Sequence, residues 1–127
     1  MTMIDKTTRQ GDVVLVRIDT LPEGLIPTKR DKHDRIVLAH GEKSGHGHAI
    51  RDKSVCGFRL ASTGDDPTGV SGGVDYIEVG GSSPATLAHE YASGAMAEHH
   101  PITLPPGVYR VALQREYSPA GIVRAVD

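Results

Sequence analysis

The segment HHPITLPPGVYRVALQREY, residues 99–117, gives the clearest indication of how this chain folds. Two runs with the composition of β-strands lie on either side of Pro105, Pro106 and Gly107. Proline presets φ for the second position of a type II turn, and glycine supplies the positive φ of the third. The segment therefore predicts a β-hairpin, and with it a fold built mainly from strands.

The second arm of this segment alternates between apolar and polar residues. Tyr109, Val111 and Leu113 lie on one side of an extended strand, whereas Arg110 and Glu116 lie on the other. We expect the side with the tyrosine, valine and leucine to face the core, because a strand buries its apolar side.

Five other runs have the length and the β-branched composition of short strands. They cover residues 11–18, 35–40, 48–52, 54–62 and 74–80. The first of them, GDVVLVRI, is almost continuously apolar, which favours burial on both faces. The predicted fold is mainly β: a small single domain over residues 1–127, arranged as an antiparallel barrel or sandwich of roughly six to eight strands with one short helix.

The short helix is predicted within residues 83–99, SPATLAHEYASGAMAEH. Ser83 can cap the free amides of a helix and Pro84 suits the first helical position, although Gly94 weakens the pattern. We prefer one or two helical turns to the alternative, a strand. The glycine-rich, polar segment 63–73 has no apolar periodicity and is expected to form a mobile loop.

Composition excludes several classes of protein. With 127 residues, of which 38% are apolar and 4% aromatic, the chain has the size of one domain with a lean aliphatic core. Fourteen basic and 16 acidic residues give a formal charge of −2, which indicates no nucleic-acid or anionic membrane partner. No apolar run approaches the roughly 20 residues that span a bilayer. With one cysteine, Cys56, and no apolar signal segment, we expect a cytoplasmic protein; virion association is the alternative.

The spacing of the seven histidines is the main functional signal. His46 and His48 are two residues apart, so in an extended segment their imidazoles lie side by side on one face. Such a pair can hold a divalent transition metal, zinc first and iron or nickel as alternatives, when a further ligand arrives from another strand. His33 and His40 are isolated on their own segments and are interpreted as ordinary polar residues.

A second histidine group, AHEYASGAMAEHH, can supply the missing ligands, although it lacks the zinc-peptidase motif HExxH. If residues 98–104 are extended, Glu98 and His100 share a face with apolar residues. A bulge in this segment turns His99 inward instead. We rank His99 and His100 nearly equal, ahead of His89, and take Glu98 or His89 as the fourth ligand.

Two functions from different classes follow from this reading. A metal with three protein ligands can activate water or bind a small-molecule substrate directly, as in a metal-dependent hydrolase, whereas a metal with four protein ligands stabilises a small core. The alternative is a non-enzymatic binding or assembly protein in which the histidines are structural or surface groups and the chain forms a homo-oligomer.

Three segments resemble those of small uncharacterised proteins of bacteria and their phages. They are QGDV at residues 10–13, GHGH at 45–48 and PPGVYRVALQREY at 105–117. The resemblance spans most of the chain and implies a shared single domain with a role for the histidines. It implies no reaction, because that group has no established activity.

The histidine segment also resembles, in two short pieces, the metal motifs of the cupins, which are β-barrel proteins. In that family a ligand histidine follows a later Pro-x-Gly turn. Here the spacing from Gly41 to His46 differs from the family pattern, and Arg110 stands where the later ligand is expected. This resemblance implies an analogous architecture only.

Overall fold

The computed structural model describes residues 7–40, 46–60, 74–91, 95–97, 99–113, 115–118 and 121–124, with the backbone alone at 40, 46, 115–118 and 121–124. All the regular structure in these ranges is β. The strands are β1 (Thr7–Gln10), β2 (Val13–Ile18), β3 (Leu25–Pro27), β4 (Ile36–His40), β5 (His46–Ile50), β6 (Val55–Leu60), β7 (Tyr76–Val79), β8 (Ala85–Tyr91), β9 (Ile102–Leu104), β10 (Gly107–Leu113), β11 (Arg115–Ser118) and β12 (Gly121–Arg124). The prediction of a mainly β chain is confirmed.

The strands form two antiparallel sheets and a separate hairpin. The first sheet has the order β1-β2-β10-β7-β6-β3, and the second has the order β4-β5-β8-β9. β11 and β12 pair with each other, and we call them the C-terminal hairpin. The two sheets do not close into a barrel within the described ranges.

The core contains residues from both sheets, because each sheet turns one face towards the other. Val13, Leu15 and Tyr109 of the first sheet belong to the same buried cluster as Ile50 and Leu87 of the second. The predicted inner side of β10 is confirmed, since Tyr109 is buried and the valine and leucine that follow it pack against the cluster. β2 alternates between fully and partly buried residues, so the expected burial on both of its faces is only partly met.

The predicted hairpin over residues 99–117 is wrong. β9 pairs with β8 in the second sheet, whereas β10 lies between β2 and β7 in the first. Gly107 has φ 150°, far from the value of about 80° that a type II turn needs. Residues 105–107 therefore form a corner that carries the chain from one sheet to the other.

The predicted helix over residues 83–99 is also wrong, because residues 85–91 form β8. Ala85, Leu87 and His89 are buried while Thr86 between them is exposed, which is the two-residue period of a strand. β8 pairs with β5 on one side and with β9 on the other, so its backbone hydrogen bonds are satisfied in the sheet. Pairing on both sides outweighs the local signal for a helix start at Ser83.

The described ranges contain no helix, and therefore none that could cross a membrane. The segment 63–73, for which a mobile loop was predicted, lies outside the described residues.

Candidate functional site

Two histidines meet in the middle of the second sheet. His48 on β5 and His89 on β8 are directly opposite each other in the strand register, and both are 0% exposed. Their rings are stacked, with centroids 4.4 Å apart and planes inclined by 13°. Imidazoles are rarely buried so completely without a role in hydrogen bonding, packing or ligation.

His99 joins this pair from the segment that follows β8. Two backbone hydrogen bonds, Tyr91 N to Ala95 O and Ala97 N to His89 O, bring the chain back alongside the end of the strand. The His99 ring then lies 4.8 Å from that of His89 and 6.0 Å from that of His48. Three of the seven histidines are thus adjacent in space, and we call them the histidine stack.

The neighbouring His100 is not part of this stack. Its side chain is exposed, and its carbonyl accepts a hydrogen bond of 2.8 Å from Gln10 Nε2. Of the two histidines that the sequence ranks nearly equal, His99 is the one whose ring lies beside His48 and His89.

Gln10, at the end of β1, fixes the orientation of His48. Its amide nitrogen donates to Leu87 O at 3.0 Å and to His100 O at 2.8 Å, so its oxygen is the atom that faces the imidazole. That oxygen lies 2.8 Å from His48 Nδ1, which must carry the hydrogen because an amide oxygen only accepts. In the neutral ring the lone pair is therefore on Nε2.

Asp12 lies beside that lone pair. Its Oδ1 is 3.6 Å from His48 Nε2, and the residue is 2% exposed. This separation is longer than a hydrogen bond. It is close to the roughly 3.4 Å between two ligands of one tetrahedral metal with bonds near 2.1 Å. The pair can therefore interact as imidazolium and carboxylate, or share a cation between them.

His89 has the opposite tautomer. Its Nδ1 accepts a hydrogen bond of 3.1 Å from the backbone N–H of His99, so the neutral ring carries its hydrogen on Nε2. Its plane is also nearly parallel to that of His48, and a metal must lie in the plane of each imidazole that binds it. In this arrangement the lone pairs of the two rings do not converge on one point.

A chain of ion pairs begins at Glu90, the residue that follows His89 on β8. Glu90 accepts from Arg51 at 2.7 Å and from Arg35 at 3.4 Å, and the side chains of Glu90 and Arg35 are 5% and 6% exposed. Arg35 also bonds Asp31 at 2.9 Å. Partial burial raises the pKa of Asp31, but the hydrogen bonds and charge of Arg35 outweigh it and hold that pKa below its ordinary value. These pairs fasten residues 31–35 to the second sheet.

Two of the predicted ligands have side chains outside the described part of the structure. His46 pairs through its backbone with Tyr91, two register positions from His48, and only its backbone is described. Glu98 is not among the described residues. Among the side chains that are described, no three potential ligands surround a common point.

Gln10 and Asp12 were not identified as site residues from the sequence. Both belong to the QGDV segment, one of the three by which the chain resembles an uncharacterised family, and the structure brings that segment against the GHGH segment. The shared membership of both motifs in that resemblance was the signal that could have identified Gln10 and Asp12. Gln10 and His48 are 38 residues apart in the sequence, however, and neither glutamine nor aspartate indicates burial.

Fold and site together define a class: a small β protein of two antiparallel sheets with buried histidines where the sheets meet. Residues 9–114 match the family described as Domain of unknown function (DUF8820), and the chain belongs to that family. The match covers both sheets from β1 to β10 and confirms the resemblance to an uncharacterised family. No curated protein and no solved structure matches the chain.

Proposed function

We propose that this domain binds one divalent transition metal through His48 Nε2 and Asp12, with zinc as the first candidate and iron or nickel as alternatives. The remaining positions are assigned to His46, which lies two residues before His48, and to Glu98 or His99 of the second histidine group. His89 serves as the packing partner of His48, and His100 contributes only its backbone carbonyl.

One observation supports this proposal above the others. His48 donates its Nδ1 hydrogen to Gln10 at 2.8 Å, and its other nitrogen lies 3.6 Å from a buried carboxylate oxygen. Metal-binding histidines commonly donate their second nitrogen to an oxygen acceptor, which fixes the tautomer and the ring orientation. Gln10 has that orienting role here, and Asp12 supplies a negative charge to offset that of the cation.

The number of protein ligands decides the activity of the proposed site. With three, a bound water or a small-molecule ligand completes the coordination, and the domain is a metal-dependent hydrolase or a related enzyme. With four, the metal stabilises the junction between the sheets. Residues 95–97 lie alongside β8 near this site, so a substrate would approach past the exposed side chain of Met96.

Metal analysis of tag-free protein, grown with ample zinc, iron and nickel, tests the proposal. We expect about one equivalent of metal in the native chain, and less than about 0.1 in Asp12→Asn, which keeps the shape of the side chain but removes its charge. His100→Ala is the matched control, because it removes an exposed imidazole from the same region and should retain the metal.

Two further results distinguish loss of the site from loss of the fold. Asp12→Asn should keep the far-ultraviolet circular dichroism spectrum of the native chain. The d–d absorption spectrum of added Co²⁺ should differ between the native chain and Asp12→Asn. The proposal fails if the native chain holds no stoichiometric metal, or if Asp12→Asn holds as much as His100→Ala.

A second candidate is a non-enzymatic assembly protein, and the C-terminal hairpin favours it. Within the described part of the chain, β11 and β12 pair only with each other, and they lie beyond the family match, which ends at 114. A two-stranded hairpin is marginally stable alone, so a second copy of the chain would stabilise it. Light scattering of the native chain and of Val123→Pro would reveal a homo-oligomer that depends on this hairpin.

Cytoplasmic location and virion association remain predictions.

A further inference from the structure

A pocket of about 140 Å³ opens between the first sheet and β9, at the far end of β1 from Gln10. Its walls include Thr7, Thr103, Arg17, Leu104, Pro105 and Tyr109. With a rise of about 3.3 Å per residue, the length of β1 separates this pocket from the histidine stack by roughly 10 Å. It is therefore distinct from the proposed metal site.

Three features of the fold hold the Arg17 side chain across the corner between the two sheets. Its Nη2 donates to Pro106 O at 2.7 Å, and its guanidinium lies 5.7 Å from the centre of the Tyr109 ring. A Cβ on Gly107 would stand 2.6 Å from Nη2, so glycine is what allows the guanidinium to lie there. Tyr109 is itself fixed, because its hydroxyl donates to Pro105 O at 2.6 Å.

Among the described side chains, no acidic group forms an ion pair with Arg17. Every ion pair of the described side chains joins other residues, and the Pro106 carbonyl is the only hydrogen-bond acceptor for Arg17 in this part of the chain. Most of the five N–H groups of the guanidinium therefore remain available to a ligand. Because the side chain is already held in place, little conformational entropy is lost when a ligand binds.

We infer that this pocket binds a small carboxylate that carries a short apolar group. The carboxylate lies on the guanidinium of Arg17, whose planar fork matches it in shape and charge. Thr103 lies at the wall beside it, and the exposed ring of Pro105 provides apolar surface for the rest of the ligand. A cavity of about 150 Å³ holds benzene, so the pocket suits an acid of four to eight non-hydrogen atoms, roughly.

Two sources can present such a group: a free short-chain acid, or the C-terminal residue of a peptide. Titrations followed in ¹⁵N–¹H NMR spectra compare butyrate with butyramide, and the tripeptide Gly-Gly-Leu with its C-terminal amide. We expect the shifts to cluster on β9, β10 and the start of β1. We also expect each amide to bind at least about tenfold more weakly than its acid. Tighter binding of the peptide assigns the C-terminal source, and equal or tighter binding of butyrate assigns the free acid.

Variants test the assignment to Arg17. Arg17→Gln should weaken butyrate binding about tenfold or more, and Arg17→Lys should recover only part of it, because lysine keeps the charge and loses the fork. Arg110→Gln is the matched control, since it removes one exposed positive charge from the neighbouring strand away from the pocket. It should bind as the native chain does.

Thr103→Val gives a second test that leaves Arg17 in place, with an expected loss of a few fold if its hydroxyl contacts the ligand. Each variant is first compared with the native chain by thermal melting. The inference is overturned if butyramide shifts the same resonances as strongly as butyrate. It is also overturned if folded Arg17→Gln binds butyrate as tightly as Arg110→Gln does.

Discussion

Gln10→Leu is the substitution that tests most directly how the two sheets are joined around His48. Gln10 belongs to the first sheet and is 3% exposed, and its side-chain hydrogen bonds go to β5, to β8 and to the segment between β8 and β9. Leucine keeps nearly the same volume and can form none of these bonds. The perturbation is therefore a loss of hydrogen bonding rather than of packing.

Three hydrogen bonds are lost in this variant. They join the amide to the Leu87 carbonyl, the His100 carbonyl and the His48 Nδ1 hydrogen, at 3.0, 2.8 and 2.8 Å. Each buried group left without a hydrogen bond costs about 1–3 kcal/mol. Leu87 is paired within the sheet on both sides, and the bond to His100 is partly buried, so the His48 hydrogen carries the largest share. We expect a loss of about 2–4 kcal/mol, a large part of the total stability of a domain of this size.

Urea unfolding followed by circular dichroism measures this loss. The midpoint should fall and the slope should stay the same, since the surface exposed on unfolding is unchanged. Arg9→Gln, on the same strand but exposed, should lie within about 0.5 kcal/mol of the native chain. A loss below about 1 kcal/mol for Gln10→Leu would refute the reasoning, because it would mean that the three groups are satisfied without the amide.

Three other substitutions follow from the same geometry. Gly107→Ala should lower the free energy of unfolding by about 1–3 kcal/mol, because φ is 150° and a Cβ there meets a guanidinium; an unchanged thermal midpoint would contradict this. Glu90→Gln should lower the free energy of unfolding by about 3 kcal/mol, because it removes the negative charge that two arginines share. Lys53→Gln breaks an exposed ion pair and should cost less than about 1 kcal/mol. Equal losses for the two variants in urea unfolding would contradict this prediction. Asp31 has a lowered pKa in the folded state through Arg35, so its stabilisation is complete above the pKa of the unfolded chain and disappears as the pH falls through the lowered value. Asp31→Asn should accordingly destabilise the protein at pH 7, and this loss should shrink as the pH falls below the ordinary range of an aspartate; a loss that does not change with pH would exclude this linkage.

The strands were predictable from the sequence because their composition is local information. Runs such as VVLVRI and RIVLAH are rich in β-branched residues, and the structure has β2 and β4 there. The alternation that places Tyr109 on the inner side of β10 is likewise contained in a few consecutive residues. Nothing beyond the strand itself is needed to find it.

The pairing of the strands was less predictable, because it depends on distant residues. Pro105 and Gly107 indicate that the chain changes direction, but they do not say which strand the next segment will join. The helix predicted from Ser83 failed for a similar reason, since β5 and β9 satisfy the backbone of β8 from both sides. A local preference of about 1 kcal/mol is small beside pairing along a whole strand.

The candidate site was predictable from the sequence only in part. The sequence singled out His48, His89 and His99, and the structure places their rings within 6.0 Å of one another. It did not single out Gln10 or Asp12, because an isolated glutamine or aspartate is far more often exposed than buried. Only the fold shows that the side chain of Gln10, at the end of β1, forms hydrogen bonds with β8 and with the segment that follows β8.

The position of β10 has a consequence for how the protein is made. β10 lies between β2 and β7, and Leu113 pairs with Val13, 100 residues earlier in the chain (113 − 13). A ribosome adds about 5–20 residues per second, so β2 waits roughly 5–20 s for its partner during synthesis. Until then one edge of β2 has no partner strand, and a chain that stops short of residue 107 never supplies one. Any tag or fusion that delays release of the last strands should therefore lower the yield of soluble protein more than one placed at the N-terminus.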